Sequence, residues 1–222
     1  MDYKQQFIEM MLAANVLTFG NFTTKSGRKT PYFVNTGNYK TGEHIAKLGE
    51  FYAECIIQNT GKEFDLLYGP AYKGIPLAVT TAISLYRNFQ YNVPYCFNRK
   101  EAKDHGEGGS IIGATPQAGN RVIIIEDVIT AGTSVRESIT LLNSIAQVNI
   151  DAVVVSVDRM EKGAGAKTTL QELQENHNIK TYAIVTIAEI ISYLYNKEIN
   201  GKVVLDAEMK KRIEEYLKIY GV

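Results

Sequence analysis

Apolar residues recur along the chain with two different periods. In residues 3–14, Phe7, Ile8, Met11 and Leu12 fall on one helical face. Two short strands are expected next, Thr18–Thr24 and Tyr32–Asn35, with the turn Ser26-Gly27-Arg28-Lys29 between them. Residues 43–59 read as a helix, with Ile45, Leu48, Tyr52, Cys55 and Ile56 on one stripe. From residue 64 onward, short apolar runs alternate with helical segments. The runs are Phe64–Tyr68, Tyr95–Phe97, Arg121–Glu126, Ala152–Val157 and Thr181–Thr186; the helices are Pro76–Asn88, Ser134–Gln147 and Thr168–Asn176. Val122-Ile123-Ile124-Ile125 is apolar on both faces, as a strand covered on both sides must be. The alternation predicts a parallel sheet built from right-handed crossovers. The stretch Glu208–Tyr220 puts Ile213, Tyr216, Leu217 and Tyr220 on one stripe of a last helix.

The chain has 222 residues, enough for one domain with a core of its own. Lys+Arg and Asp+Glu number 24 each, so no global charge draws it to nucleic acid or to an anionic membrane. No apolar run approaches the roughly 18 residues of a membrane span. The two cysteines, Cys55 and Cys96, have no metal-ligand spacing and read as buried thiols. The start, MDYKQQFIEMMLAAN, carries charges throughout, unlike a signal peptide, and the expected location is the cytoplasm. No two of the three histidines have zinc-ligand spacing.

Open parallel sheets place ligands beyond the carboxyl ends of their strands. The run Val122–Ile125 leads directly into Glu126-Asp127-Val128-Ile129-Thr130-Ala131-Gly132-Thr133-Ser134. Ser134 with Glu137 has the spacing of a capping box, which predicts a helix starting near Val135. The last loop residues then lie at a helix N-terminus, where free N–H groups and the helix dipole favour an anion. Gly132 allows close approach of the backbone, and Thr130, Thr133 and Ser134 offer hydroxyl donors. Two carboxylates beside a phosphate make sense if the phosphate belongs to a sugar. Glu126 and Asp127 would accept hydrogen bonds from ribose hydroxyls and offset positive charge developing on the ring.

This segment resembles the phosphoribosyl-diphosphate signature of the type I phosphoribosyltransferases, with Glu-Asp at the acid pair. Further stretches narrow the resemblance to the members that act on orotate: Phe22–Arg28, Pro31-Tyr32-Phe33, Gly69–Gly74 and Cys96–Gly109. It runs from about Phe7 to Tyr193. It implies the type I α/β fold: a mainly parallel twisted sheet flanked by helices, in a single domain over 1–222. About 1–40 would form a hood over the base pocket. A flexible catalytic loop would cross to the partner subunit of a homodimer. The implied reaction joins orotate to 5-phosphoribosyl 1-diphosphate, giving orotidine 5′-phosphate and diphosphate in pyrimidine biosynthesis. Mg2+ is the implied cofactor, held mainly by substrate oxygens and water rather than by a protein cage.

Other stretches fit this scheme on their own chemistry. Gly69-Pro70-Ala71-Tyr72-Lys73-Gly74 is a tight turn with one cation before a helix, suited to a pyrophosphate, and it lacks the Walker A order. Residues 99–109 concentrate Arg99, Lys100, Lys103 and His105 ahead of three glycines. Composition alone would equally give a solvated hairpin tip. The resemblance assigns these four to the donor, with Lys100 and Lys103 acting across the dimer and Lys103 the most rate-sensitive. Val128, Ile129 and Ala131 join the donor loop, and Lys73, Lys103 and Asp127 are the implied catalytic residues. Arg159 can hold a planar carboxylate by two parallel hydrogen bonds, and the resemblance gives it orotate's. Lys25, Phe33, Val34 and Thr130 complete the implied base pocket, Lys25 also reaching the donor; Phe33 could stack on the base, while Val34 departs from the aromatic usual there. Two other readings remain: transfer to another base, such as a purine, and a non-catalytic sensor of the sugar diphosphate.

Overall fold

The computed structural model describes residues 2–222 except 25–26, 101–108, 130 and 164. Lys25, Lys103, His105, Thr130 and residues 101–108 of the expected flexible catalytic loop therefore lie outside the described residues. The chain opens with α1 (Tyr3–Ala13), capped by Asp2, and an antiparallel hairpin of β1 (Leu17–Thr23) and β2 (Lys29–Val34). A single 3-10 turn, Thr36–Asn38, leads to α2 (Gly42–Thr60). Next come β3 (Leu66–Tyr68), α3 (Gly74–Phe89), β4 (Tyr95–Asn98), β5 (Ile111–Gly113), β6 (Arg121–Glu126), α4 (Thr133–Ile145), β7 (Asn149–Asp158), α5 (Thr169–His177), β8 (Lys180–Thr186) and α6 (Ile187–Leu194). A two-residue hairpin, β9 (Glu198–Ile199) with β10 (Lys202–Val203), precedes α7 (Ala207–Tyr220).

The six-stranded sheet has the order β5-β4-β3-β6-β7-β8. β6 lies inside it, paired in parallel with β3 (Tyr68 opposite Ile124) and with β7 (Ile124 opposite Val153). Its alternation explains the two-sided apolar run. Ile123 and Ile125 join the core shared with α1, α2 and α3, whereas Val122 and Ile124 pack with Val135 and Leu142 of α4 and Leu173 of α5. All four are fully buried. Full burial of each such side chain stabilises the fold by roughly 1.5–3 kcal/mol, which anchors the strand whose end carries the acid pair.

The sheet is mainly parallel, as expected, with one antiparallel edge strand: β5 pairs antiparallel with β4. At Gly113 the backbone has φ +93° and passes so close to Tyr95 that a Cβ would lie 2.4 Å from its carbonyl oxygen. In addition, α6 was not foreseen. It starts directly where β8 ends, with a capping box between Thr186 and Glu189, and no loop residues mark the change of period. Finally, α4 begins at Thr133 rather than near Val135. Its N-cap is Gly132 in the left-handed region, and no side chain caps it.

Candidate active site

The carboxyl ends of β3, β4, β6 and β7 bring together four loops. At the end of β6, Glu126 is buried, 7% exposed, and both of its oxygens are engaged. The Ser134 hydroxyl donates to Oε2 at 2.7 Å, and the Asp127 amide donates to Oε1 at 3.2 Å. The expected capping box is thus replaced: Ser134 turns back to the acid pair, and the first amides of α4 keep no side-chain cap. Such uncapped N–H groups are the donors an anion would use.

Asp127 faces the other way. Its Oδ2 accepts from Lys73 Nζ at 2.7 Å and from Thr36 Oγ1 at 2.6 Å, and Lys73 also donates to Thr36 Oγ1 at 3.0 Å. The Asp127 side chain is 14% exposed and that of Lys73 62%, so the cation lies on the open side of the pair. Two further groups brace the strand end from behind. The Tyr52 hydroxyl donates to the Glu126 carbonyl, and Ser156 donates to the Asp127 carbonyl through both its amide and its hydroxyl.

These partners split the two acids electrostatically. Burial pushes the Glu126 carboxyl up to about 7, with the neighbouring Asp127 charge acting the same way against the Ser134 hydrogen bond. Burial also raises Asp127, but hydrogen bonds from Lys73 and Thr36 outweigh it and hold that carboxyl below the ordinary aspartate range. One acid is kept ionised beside a cation, and the other is poised to hold a proton.

Gly132 is required twice in the loop after the acid pair. Its φ is +70°, and a Cβ there would lie 2.5 Å from Thr169 Cγ2 on α5. Val128 and Ile129 are half-buried, while Ala131 and Thr133 are exposed. Arg136 reaches back to the Ala131 carbonyl.

The 69–74 turn is closed by its two glycines. A Cβ on Gly69 would lie 2.0 Å from the Gly74 carbonyl oxygen. The Ala71–Tyr72 peptide is cis, and the Ala71 amide donates to Asn98 Oδ1 at 2.8 Å, tying the turn to the end of β4. Tyr72 is exposed, and Lys100 Nζ lies 5.3 Å from its ring centroid. Arg99 follows β4 and is half-buried; its Nε is buried with no hydrogen-bond partner among the described residues. Lys73, Tyr72, Arg99, Lys100 and the 126–134 loop therefore occupy adjoining strand ends.

The residues expected on the base side lie elsewhere. Phe33 is 37% exposed and stacks on Phe22, with ring centroids 5.6 Å apart. Val34 packs against the main core. Arg159, just beyond β7, is mostly buried and donates to Glu161 Oε1 at 2.6 Å. A cavity of about 170 Å³ opens beside Asp127 and Lys73, walled by Thr36, Tyr39, Leu48, Tyr52 and Leu77. Usual ligand pockets enclose roughly 300–1,000 Å³, so this is a corner of a site whose remainder is open surface.

Four contributors were missed from sequence. Ser156 carried a signal, being a lone hydroxyl in an apolar strand. Tyr52 looked like core because its ring is core. Thr36 and Glu161 act through folding partners distant in sequence, so no local pattern marks them.

The split between the acids sets a pH dependence. The folded state holds the Glu126 proton up to about 7, against an ordinary value of 4.5 for a free glutamate side chain. The stability that proton confers is therefore complete below the lower value and lost as pH rises through the upper one. Glu126→Gln carries no such loss. The melting temperature of Glu126→Gln minus that of the unsubstituted chain, both ligand-free, should grow between about pH 5 and pH 8. A difference independent of pH would show that Glu126 titrates normally.

Comparisons with known proteins agree with this geometry. A model of the phosphoribosyl transferase domain matches residues 35–184. The orotate phosphoribosyltransferase of Clostridium acetobutylicum is 57% identical over 221 residues, covering 100% of this chain and 99% of that protein. The crystal structure of orotate phosphoribosyltransferase from Francisella tularensis superposes with a TM-score of 0.85 at 36% identity, over 98% of this chain and 100% of that one. A Mycobacterium tuberculosis orotate phosphoribosyltransferase in complex with 5-phospho-alpha-D-ribosyl 1-diphosphate shares the fold at 18% identity and a TM-score of 0.63, over 85% of this chain and 99% of that one. With its strand-end acid pair, glycine-kinked loop and full-length relatives, the chain belongs to the phosphoribosyl transferase family and, within it, to the orotate phosphoribosyltransferases.

Proposed function

We propose that the chain transfers the phosphoribosyl group of 5-phosphoribosyl 1-diphosphate to orotate, giving orotidine 5′-phosphate and diphosphate. The observation that carries this reading is Asp127, an ionised and mostly buried carboxylate shared by Lys73 and Thr36 beside the uncapped start of α4. The 5-phosphate would take the amides at the start of α4, and Asp127 would receive the ribose hydroxyls. Lys73 would leave Asp127 for the pyrophosphate, with Tyr72, Arg99 and Lys100 around it. Glu126, its oxygens already engaged, would act as the buttress that fixes the loop.

The C1–O bond to diphosphate breaks as the orotate nitrogen approaches C1. Orotate brings its own negative charge, so no strong general base is required. Catalysis then rests on positioning and on stabilising opposite charges, the ring cation by Asp127 and the departing diphosphate by Lys73 and the 99–105 cations. Lys103 and His105 are assigned to that cation group, and Lys25 and Thr130 to the substrates, from the family pattern. Among the described residues, no three or more His, Cys, Asp or Glu side chains converge as a metal cage. The hard oxygen of Asp127 fits an ion brought in by the donor and completed by water, and bound Mg2+ would neutralise charge on the leaving diphosphate. On the base side, Arg159 would grip the orotate carboxylate, and the β1–β2 hairpin would act as a hood presenting Phe33.

A homodimer is supported by α3. Its outer face carries Ile83, 46% exposed, and Tyr86, 62% exposed, in line with the half-buried Ile75 and Val79. Such a stripe is where a second copy would bury apolar surface. The 99–109 segment would then reach the partner's site.

Loss of orotate absorbance should require both the donor and magnesium, and a purine in place of orotate should give no product. Purine turnover without orotate turnover would reassign the base. Lys103→Ala and Arg159→Ala chains, each nearly inactive alone, should regain partial activity when mixed. No recovery would contradict a loop acting across the dimer.

A further inference from the structure

Glu161 stands two residues beyond Arg159 and gathers three donors in a mostly buried position. The Tyr32 hydroxyl donates to Oε1 at 2.7 Å, Arg159 Nη2 donates to Oε1 at 2.6 Å, and Arg28 Nη1 donates to Oε2 at 3.1 Å. The Glu161 side chain is 12% exposed and that of Arg159 16%. Tyr32 is fully buried, and the Arg159 guanidinium lies 5.4 Å from its ring centroid. The Glu161 segment is itself pinned. Lys162 N donates to the Tyr220 carbonyl at 2.8 Å, and Val222 N donates to that of Met160 at 3.0 Å. Arg28 is held in turn, 4.5 Å from the Tyr220 ring centroid.

Two features point beyond simple bracing. The first is the unspent valence of Arg159. Its Nε is buried with no hydrogen-bond partner among the described residues, although a desolvated donor left unpaired is costly. Glu161 therefore engages Nη2 and leaves Nε, a buried donor, still to be satisfied. The second is connectivity. Tyr32 and Phe33 are neighbours on β2 and face opposite ways, the first into the core and the second toward solvent. One carboxylate thus fixes the guanidinium and, through Tyr32, the strand that presents the exposed Phe33 ring.

We propose that Glu161 is a positioning residue for the base: it sets the orientation of the Arg159 guanidinium for the substrate carboxylate and locks that grip in register with the strand bearing Phe33. This rests on the proposed orotate reading. A guanidinium in a half-dry pocket without Glu161 would pivot toward any nearby acceptor, and orientation, not charge, would be lost. Glu161 touches neither the donor nor the reacting atoms, so its effect falls on the base alone.

The test compares Glu161→Gln with the unsubstituted enzyme. Gln keeps an acceptor for Tyr32 and loses the charge that holds both guanidinium groups. The KM for orotate should rise about tenfold or more, the scale of one charge-assisted hydrogen bond, while kcat and the donor KM change less than about twofold. Turnover of uracil, which lacks the carboxylate, should hardly change, so the preference for orotate over uracil should shrink by the same factor. Tyr32→Phe, which removes a single hydroxyl, should raise the orotate KM severalfold with the donor KM unchanged, and it serves if Glu161→Gln does not fold. An unchanged orotate KM in both variants, or equal losses for orotate and uracil, would reduce Glu161 to a structural brace. If the unsubstituted chain fails to consume orotate, the proposed reaction falls, and this assignment falls with it.

Discussion

Two adjacent carboxylates at the end of a buried strand cannot both remain ionised without partners, and the answer to that constraint organises the site. Asp127 is kept charged by Lys73 from the β3–α3 turn and by Thr36 from the segment after the hairpin. Glu126 is withdrawn from water and held by the Ser134 hydroxyl, with its proton affinity raised. Three chain segments distant in sequence therefore meet because of one electrostatic problem. The same partners form the wall against which a phosphorylated sugar would lie. Lys73 neutralises Asp127 from the open side of the pair, and in the proposed reaction it would move to the pyrophosphate.

The scaffold behind this pair is apolar and stiff. Residues 122–125 contribute to both cores, so the end of β6 can shift only if both faces of the sheet repack. Tyr52 and Ser156 hold the two carbonyls at that end. Gly132 then permits a left-handed turn against α5 that a side chain would block. Glu161 does for Arg159 what Thr36 does for Lys73: an acceptor holds a long cation in one orientation.

Much of this was readable from residue order. Arg121–Glu126 was bounded correctly because its apolar run ends abruptly in charge, and the strands and helices from residue 64 to 177, β5 apart, were placed within a few residues. The acid pair, the glycine turn and the Lys73 turn each carry local signals. The errors share a cause. Ser134 and Glu137 have capping-box spacing, but Ser134 found a stronger partner in a buried carboxylate eight residues back. β5 carries only three residues and becomes a strand by lying beside β4. α6 was hidden because β8 runs straight into it, although Thr186 and Glu189 did carry a start signal. Thr36 gains its role from a residue 91 positions away, and Glu161 joins its neighbour Arg159 to Tyr32 and Arg28, 129 and 133 positions away, separations no local period reports.

The most direct test is a crystal structure of the chain with 5-phosphoribosyl 1-diphosphate and magnesium bound. The 5-phosphate should sit on the amides at the start of α4 and the ribose hydroxyls on Asp127, with Lys73 moved from Asp127 to the diphosphate. A phosphate seated elsewhere, with Lys73 still paired to Asp127, would contradict this assignment of the site.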